Sequence, residues 1–266
     1  MSPETGSRLW RRRPRLPGLD WIGPPLVLFA LVVSGWHAAT VLLGVPTVVL
    51  PSPLDVLGAL GSSWETLLGD ALVTGVTAAL GLLGGIAVGV PLSFGMVRSR
   101  TVEAVVRPYV IGLRVAPLVA VAPLVFLWFG RGIAARALLV TTLTLFPVTV
   151  ASVGGLRSVP REYLDLARSV AAPDRTVFLR VRVPAAAPSV FAGVKLAATL
   201  SVIGAVVAEF VTLDAGLGYR VVVTSTDLRT AETYAALVVL AALGIAFYLA
   251  PVWLERRSAA AASDRS

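Results

Sequence analysis

The chain has 266 residues, of which 56% are hydrophobic and only 14% are charged, and its formal net charge at pH 7 is +8. The mean hydropathy of +0.84 is far above that of a soluble domain, so the composition excludes a soluble enzyme, a disordered chain and a fibrous repeat. The sequence has no cysteine and one histidine, which excludes disulfides, thiolate zinc sites, cysteine nucleophiles and a histidine metal cluster within one chain.

The apolar runs predict an all-α, polytopic membrane protein, because about 20 consecutive apolar residues are needed to cross the bilayer core as a helix. Six runs in the sequence are long enough. They cover residues 21–43, 71–96, 109–129, 133–153, 189–213 and 233–254. Only the turn Gly130-Arg131-Gly132 separates the third run from the fourth, which predicts a tight helical hairpin there.

The positions of the basic residues predict how the chain crosses the membrane. With six spans, four segments of the chain lie on the same side of the membrane, namely 1–20, 97–108, 156–188 and 255–266. These four segments contain 17 of the 23 Lys and Arg residues. The segment 44–70, on the other side, has three acidic residues and no Lys or Arg. The positive-inside rule then places both termini and the loop 156–188 in the cytoplasm, and the segment 44–70 outside a cytoplasmic membrane.

These segments also divide the chain into parts. The parts are a basic tail (1–20), a first transmembrane helix (21–43), an external segment (44–70), a five-helix core that contains the loop (71–254) and a second tail (255–266). The run Arg11-Arg12-Arg13 before the first span also resembles a secretory signal, but the five further spans favour an anchor helix that stays in the protein. In the external segment, apolar residues at helical spacing predict a short helix on the membrane interface over 54–68.

Motifs for catalysis and for phosphate binding are absent from the sequence. The glycine-rich run over 81–89 has no lysine after it, so close helix packing through small residues is favoured over a phosphate-binding loop. There are no paired carboxylates, no nucleophile elbow and no metal signature. We therefore expect a chain that is not an enzyme, cannot hydrolyse ATP by itself, binds no cofactor or metal and has no nucleic-acid partner.

Three ionisable side chains fall within the predicted spans, where such groups are costly and become candidates for a transport pathway. Arg114 and Lys195 lie within two turns of a cytoplasmic boundary and either reach the headgroups, which is favoured, or line the pathway. Glu209 lies near the outer end of the fifth span, where it either faces a cavity or pairs with Arg220. Five hydroxyls could also line the pathway, although hydrogen bonds within their own helices are favoured for most of them. They are Thr141, Thr142, Thr144, Thr199 and Ser201.

The loop 156–188 is expected to form an amphipathic bend that projects from the membrane. In its first half, four apolar residues fall on one face of a short helix beside charged residues. They are Tyr163, Leu166, Ala167 and Val170. Three acids are interleaved with six arginines in the loop, which favours a protein partner over a strip that only lies on lipid headgroups.

The second half of the loop predicts a turn and a further short helix. Pro173 is expected to end the first helix, and Asp174 is expected to cap a second helix over 175–183. Pro184 and Pro188 are then expected to break the chain before the fifth span.

The loop resembles the EAA loop of permease subunits of ATP-binding-cassette (ABC) importers. In that family the pattern is E-A-A, a G four residues after the last A, and I-x-L-P ten residues further on. Asp165-Leu166-Ala167 stands at E-A-A, and Ala171 stands at the G. Val181, Val183 and Pro184 stand at I, L and P, with every spacing kept. Alanine in place of the family's glycine predicts a stiffer bend.

Other motifs over about 51–257 resemble the subfamily of permeases for nitrate, sulfonates, taurine and thiamine-pyrimidine precursors. The motifs are Leu50-Pro51-Ser52-Pro53, Pro117, the run 123–130, Phe146-Pro147 and Gly216-Leu217-Gly218-Tyr219. The stretch 202–210 looks more like the pyrimidine-precursor permeases than the taurine permeases. The resemblance implies a chain that forms the translocation pathway for a small polar organic or anionic nutrient.

The same resemblance implies a homodimer in the lipid bilayer, with two copies of a cytoplasmic ATPase that binds ATP and Mg, and one external substrate-binding protein. The loop 156–188 would couple the ATPase to the spans, and six of its residues are the candidates for docking. They are Asp165, Ala167, Ala171, Ala172, Asp174 and Arg175.

The main alternative is a self-contained secondary transporter, which predicts inverted repeats and several buried charges. A membrane-embedded enzyme would need a catalytic cluster, and a structural subunit without transport activity stays open.

Overall fold

The computed structural model describes residues 23–115 and 117–263. The predictions for the tail 1–20, including Arg11-Arg12-Arg13, lie outside the described residues. Within the described ranges every regular element is a helix, which confirms the prediction of an all-α membrane protein. The helices are α1 (Gly23–Leu42), α2 (Pro53–Ser62), α3 (Trp64–Arg98), α4 (Arg100–Val115), α5 (Leu118–Phe129), α6 (Ile133–Arg157), α7 (Arg161–Ser169), α8 (Asp174–Val177), α9 (Val183–Thr212), α10 (Leu217–Thr226) and α11 (Thr230–Ser263), with a π-helical segment, Phe178–Arg182, between α8 and α9.

Among the described residues, five helical stretches are long and apolar enough to cross a membrane. They are α1, α3, α6, the stretch Asp174–Thr212 (α8, the π-helical segment and α9 together) and α11. The helices α4 and α5 qualify only as a pair, and they meet at an angle of 105°. The predicted third span, 109–129, is therefore not one straight helix. Pro117 has an extended backbone at the break (φ −70°, ψ 102°). A proline has no N–H to donate, so it cannot continue the hydrogen bonds of a preceding helix.

The segment 44–70 contains an interruption where a single helix over 54–68 is predicted. At the start of α2, the Ser52 hydroxyl oxygen accepts from the Asp55 N–H (3.3 Å), and the Asp55 carboxylate accepts from the Ser52 N–H (2.9 Å). The helix stops before Ser63, and α3 starts directly after that residue. One face of α2 is buried against α11, so α2 packs on the bundle as well as carrying exposed leucines.

The core of the bundle consists of α3, α6 and α9, which pack against one another. Four glycines of α3 lie on the face toward α6. They are Gly81, Gly84, Gly85 and Gly89. A Cβ at Gly85 would overlap Thr144 and lie 3.0 Å from its backbone, and a Cβ at Gly89 would lie 2.9 Å from the Thr149 hydroxyl oxygen. The prediction that this glycine run allows close helix packing is confirmed.

The chain does not break between the loop 156–188 and the span that follows it. The helical stretch Asp174–Thr212 is continuous, so the predicted helix end at 183 and the predicted breaks at Pro184 and Pro188 are wrong. Pro184 falls in the first turn of α9, where a missing N–H is tolerated, directly after the wider turns of the π-helical segment. Pro188 lies inside α9, where neighbouring helices support the backbone, as is common in membrane-spanning helices.

The substitution Gly85→Ala is expected to lower the free energy of unfolding by about 1–3 kcal/mol, because the added methyl group overlaps Thr144 on α6. The matched control is Gly244→Ala in α11, where the described residues leave open space around an added Cβ. Thermal unfolding of the purified protein in mild detergent should give a lower midpoint for Gly85→Ala than for Gly244→Ala. Equal midpoints for the two variants would contradict the close packing of α3 on α6.

Candidate functional site

The loop 156–188 joins the bundle through two polar contacts at one end of the helices. Arg157, the last residue of α6, forms a bidentate ion pair with Glu103 of α4 (3.0 and 2.7 Å). Arg182, in the π-helical segment, donates to the carbonyl oxygen of Leu156 (3.3 Å). The first contact fixes the end of α6, and the second ties the following helix to it. Both ends of the loop are therefore held, and α7 projects from a fixed base.

The helix α7 ends in a left-handed turn. The N–H of Ala172 donates to the carbonyl oxygen of Ala167, and the N–H of Ala171 donates to that of Arg168, both at 2.9 Å. This pair of bonds is the Schellman motif, which places a residue with positive φ just after the helix. Ala171 is that residue, with φ 51°. The backbone thus needs a glycine at the position where the EAA pattern has one, and alanine costs about 1 kcal/mol there.

The six predicted docking residues lie together on α7, on the turn and at the start of α8. Asp165, Ala171, Asp174 and Arg175 are exposed, and Ala167 and Ala172 are half-buried. Asp165 accepts a hydrogen bond from the Arg168 guanidinium (2.9 Å) on the surface of α7. Asp174 does not cap the second helix as predicted. Pro173 occupies the capping position with an extended backbone, and Asp174 is the first helical residue, where its charge still favours the helix N-terminus.

An exposed apolar strip runs along α7. It consists of Tyr163, Leu166 and Val170, which are 59%, 64% and 69% exposed. The strip confirms the predicted apolar face, except that Ala167 is half-buried beside it. Within the described part of the chain nothing covers the strip. An exposed strip of three large apolar residues between charged residues is suited to a groove on another protein.

A buried network lies at the opposite end of the bundle, around Glu209 near the end of α9. The Glu209 side chain is completely buried. Its Oε2 accepts from the hydroxyl of Thr74 on α3 (3.1 Å) and from the N–H of Gly218 in α10 (2.8 Å). The Thr74 hydroxyl oxygen in turn accepts from the N–H of Leu217 (2.9 Å). The network therefore binds α3, α9 and the first turn of α10 into one unit.

The structure contradicts both roles that the sequence leaves open for Glu209, a side chain that faces a cavity and a partner of Arg220. The carboxylate does not pair with Arg220, whose Nε instead donates to Asp70 (2.7 Å), and it does not reach a cavity in the described chain. Gly216, with φ 106°, approaches so closely that an added Cβ would overlap the carboxylate. An added Cβ at Gly218 would lie 2.9 Å from Oε2. The buried carboxylate therefore explains both glycines of the Gly-Leu-Gly-Tyr motif.

Arg136 is a buried charged residue that the sequence analysis misses. It lies in the first turn of α6 and is only 6% exposed. Its guanidinium is 3.4 Å from the Asp214 carboxylate and 3.5 Å from the carbonyl oxygen of Ala215. An arginine one turn inside an apolar run is a visible signal, but its partner is 78 residues away in the sequence and no local pattern connects the two.

The two basic pathway candidates have different surroundings. The Arg114 guanidinium lies 5.1 Å from the Phe146 ring and lines a cleft of about 380 Å³ between α4 and α6. Lys195 forms an ion pair with Glu255 of α11, so its ammonium group has a partner within the chain. The five hydroxyls of the spans bond carbonyl groups of their own helices, as predicted. Among the described residues, no group of three or more His, Asp or Glu side chains is placed to hold a metal.

The fold and the loop define the class of the protein, a multi-pass membrane protein with an exposed amphipathic loop. The family model described as "Binding-protein-dependent transport system inner membrane component" matches residues 81–260. The chain belongs to this family, and it is therefore a membrane component of a binding-protein-dependent ABC importer. Permeases of this family are not themselves enzymes and work with an ATPase and a substrate-binding protein. Membership favours the predicted importer over the self-contained secondary transporter.

Relatives agree with the family and with the predicted subfamily. The chain is 33% identical over 233 residues to a protein of Haemophilus influenzae described as a probable ABC transporter permease, with 88% of this chain and 95% of the relative covered. It is 32% identical over 232 residues to the formylaminopyrimidine transport permease ThiX of Halalkalibacterium halodurans, with 87% and 92% covered. The riboflavin transport permease RibX of Chloroflexus aurantiacus is 33% identical, with 92% of this chain and 94% of the relative covered. A Bacillus subtilis protein described as a putative aliphatic sulfonates transport permease is 29% identical, with 91% and 88% covered.

A solved structure supports the fold. A chain of a crystal structure described as an amino acid ABC transporter with histidines superimposes with a TM-score of 0.63. The match covers 74% of this chain and 96% of that chain, at 18% sequence identity. The helical bundle is therefore shared with an ABC transporter permease fold.

The substitution Ala171→Gly is expected to stabilise the turn after α7 by about 1 kcal/mol, because glycine adopts a positive φ without the steric cost of a Cβ. The same change at Ala167, within α7, is expected to destabilise the helix by a similar amount, because glycine is a poor helix former. Hydrogen–deuterium exchange of the loop should be slower in the first variant and faster in the second. Changes in the same direction would contradict a left-handed turn at Ala171.

The substitution Glu209→Ala is expected to lower the free energy of unfolding by on the order of 2 kcal/mol, because it leaves the buried N–H of Gly218 without an acceptor and removes the hydrogen bond to Thr74. The exposed Glu65→Ala on α3 is the matched control and should leave the thermal midpoint unchanged. Glu209→Gln keeps an acceptor oxygen and should fall between the two. A Glu209→Ala variant with unchanged stability but lost transport would instead restore the pathway role.

Proposed function

We propose that the loop 156–188 is the element through which a cytoplasmic ATPase drives this permease. The observation that carries the proposal is the apolar strip of α7, which stays exposed while both ends of the loop are fixed to the bundle. An amphipathic helix that lays an apolar face into a groove is a common mode of protein recognition. In this arrangement the strip supplies the buried contact area.

The six docking residues supply close approach and register. The three alanines at 167, 171 and 172 are small, so the surface of the ATPase is able to approach the turn closely. The charges of Asp165, Asp174 and Arg175 border the strip and the turn, and complementary charges on the ATPase would fix the register of docking. A bulky residue at Ala171 or a reversed charge at Asp165 should therefore uncouple the two proteins without unfolding the permease.

The continuous helical stretch Asp174–Thr212 supplies the mechanical connection. It starts at the docking turn and ends beside the Glu209 network, to which α10 is hydrogen-bonded. Closure of the ATPase pair on ATP would displace the loop, and the helix would carry that displacement to α10 at the opposite face of the membrane. This is a coupling between two distant sites through one rigid element with two arrangements.

The proposed assembly is a homodimer of this chain with two ATPase copies, which bind the ATP and Mg²⁺, and one external substrate-binding protein. We propose that both termini and the loop lie in the cytoplasm. The arginines Arg98, Arg157 and Arg182 gather at the end of the bundle that carries α7, which the positive-inside rule assigns to the cytoplasm. The acids Asp70 and Glu209 lie at the other end.

The proposed cargo is a small polar organic or anionic nutrient, such as a thiamine-pyrimidine precursor, a sulfonate, taurine or nitrate. Two features support this class. The stretch 202–210 resembles pyrimidine-precursor permeases, and relatives named for formylaminopyrimidine and for aliphatic sulfonates match most of the chain. The choice within the class rests with the external binding protein, so the ligand of that protein identifies the cargo.

The substitution Leu166→Asp is expected to reduce recovery of the ATPase roughly tenfold or more, because it places an unpaired charge in an apolar contact. The matched control is Leu228→Asp, since Leu228 is equally exposed (66%) but lies after α10 at the opposite end. Tagged permease is purified in mild detergent, and the recovered ATPase is quantified. Loss of the ATPase from both variants, or from neither, would contradict docking through α7.

A further inference from the structure

A positively charged cleft of about 250 Å³ lies between the end of α3 and the loop 156–188. Three arginines line it: Arg98, the last residue of α3, Arg168 of α7 and Arg182 of the π-helical segment. The lining also includes the carboxylate of Asp174. Arg168 is paired with Asp165 (2.9 Å), so three arginines stand against two carboxylates. The cleft keeps an excess of one positive charge, which attracts an anion.

The remaining wall of the cleft is apolar and fixed in place. It includes Leu164 of α7 and Phe178 of the π-helical segment. The Phe178 ring meets the Phe94 ring of α3 edge to face, with centroids 5.3 Å apart. Guanidinium groups bind phosphate oxygens through parallel, charge-assisted hydrogen bonds. A ligand that joins a phosphate to an apolar body would contact both parts of the lining.

The cleft lies on a different face of α7 from the apolar strip, although its lining includes Ala172 and Asp174, two of the proposed docking residues. Successive residues of an α-helix are turned by about 100°, so Leu164 and Arg168 share one face of α7. The apolar strip, Tyr163, Leu166 and Val170, lies on the other side of the helix. A protein seated on the strip therefore contacts the side of α7 that is turned away from Leu164 and Arg168. The cleft is also smaller than the roughly 300–1,000 Å³ of pockets for drug-sized ligands, so a headgroup suits it better than an enclosed nucleotide.

We propose that this cleft binds the phosphate headgroup of an anionic phospholipid from the adjacent leaflet. The proposal rests on the orientation given above, in which the end of α3 meets the cytoplasmic leaflet. Basic pockets between spanning helices on that side are suited to anionic headgroups. The bound phosphate bridges Arg98 on α3 to Arg168 on α7 and so braces the docking helix against the spanning bundle.

Native mass spectrometry of the delipidated full chain in detergent tests this site, with phosphatidylglycerol and phosphatidylcholine of the same acyl chains as probes. The wild type should bind phosphatidylglycerol more tightly than phosphatidylcholine. The double variant Arg98→Gln/Arg182→Gln should bind phosphatidylglycerol roughly 30-fold more weakly, at roughly fivefold per arginine. The matched control Arg131→Gln/Arg161→Gln removes the same charge from exposed positions outside the cleft and should bind like the wild type.

The single variant Arg98→Gln keeps the test decisive, because Arg182 also bonds the carbonyl oxygen of Leu156 and its loss could disturb the fold. Arg98→Gln should weaken phosphatidylglycerol binding roughly fivefold. Unchanged binding in Arg98→Gln would overturn the proposal. If inorganic phosphate occupies the site without lipid, the ligand is a free anion and the proposal is wrong. If binding of the ATPase releases the lipid, the cleft is part of the contact with the protein partner and the proposal is also wrong.

Recovery of the ATPase with the Arg98→Gln variant separates this proposal from the function proposed for the loop. Arg98 lies on α3, outside the docking residues, so the variant should keep the ATPase while it loses lipid affinity. Retained lipid affinity in a wild-type chain that recovers no ATPase would instead overturn the docking function and leave the lipid site standing.

Discussion

One continuous helical stretch, Asp174–Thr212, joins the two ends of this permease. Its start follows the exposed turn after α7, and near its end the buried Glu209 carboxylate binds Thr74 of α3 and the N–H of Gly218 in α10. The hydrogen bonds of Glu209 are completely buried, so water does not compete for them and they are costly to break. The core helices α3 and α6 pack around this stretch through glycines, which bring the backbones close together. In the proposed coupling, a displacement at the loop is transmitted along the helix to α10.

Both ends of this stretch are bordered by residues with a positive φ. At the network end, Gly216 takes its positive φ without steric cost and leaves space for the carboxylate. At the loop end, Ala171 takes a left-handed conformation that favours glycine. Leu213, directly after α9, takes the same left-handed conformation (φ 49°), so a backbone position that favours glycine lies next to each end of the stretch. Strained backbone is concentrated at functional sites in many proteins.

The sequence predicts features that depend on local spacing and misses features that depend on distant contacts. Bilayer thickness sets the length of the spans, and helical periodicity places the apolar strip of α7, so both were predictable. The break at Pro117 and the intact helix at Pro184 were not, because the packing around each proline decides its effect. Glu209 was visible only as an acid in an apolar run. Its partner Thr74 is 135 residues away, and no pattern in a single sequence connects the two.

A distance measurement between the two ends of the stretch tests the rigid connection most directly. The chain has no cysteine, so spin labels can be attached to Arg180→Cys in the π-helical segment and Ser225→Cys in α10, both exposed positions. Pulsed electron paramagnetic resonance would measure the distance within one labelled chain, diluted with unlabelled chain in the assembled transporter. A rigid connection predicts the same distance without nucleotide and with ATP trapped. A change of about 5.4 Å, one helical turn, or more would contradict it.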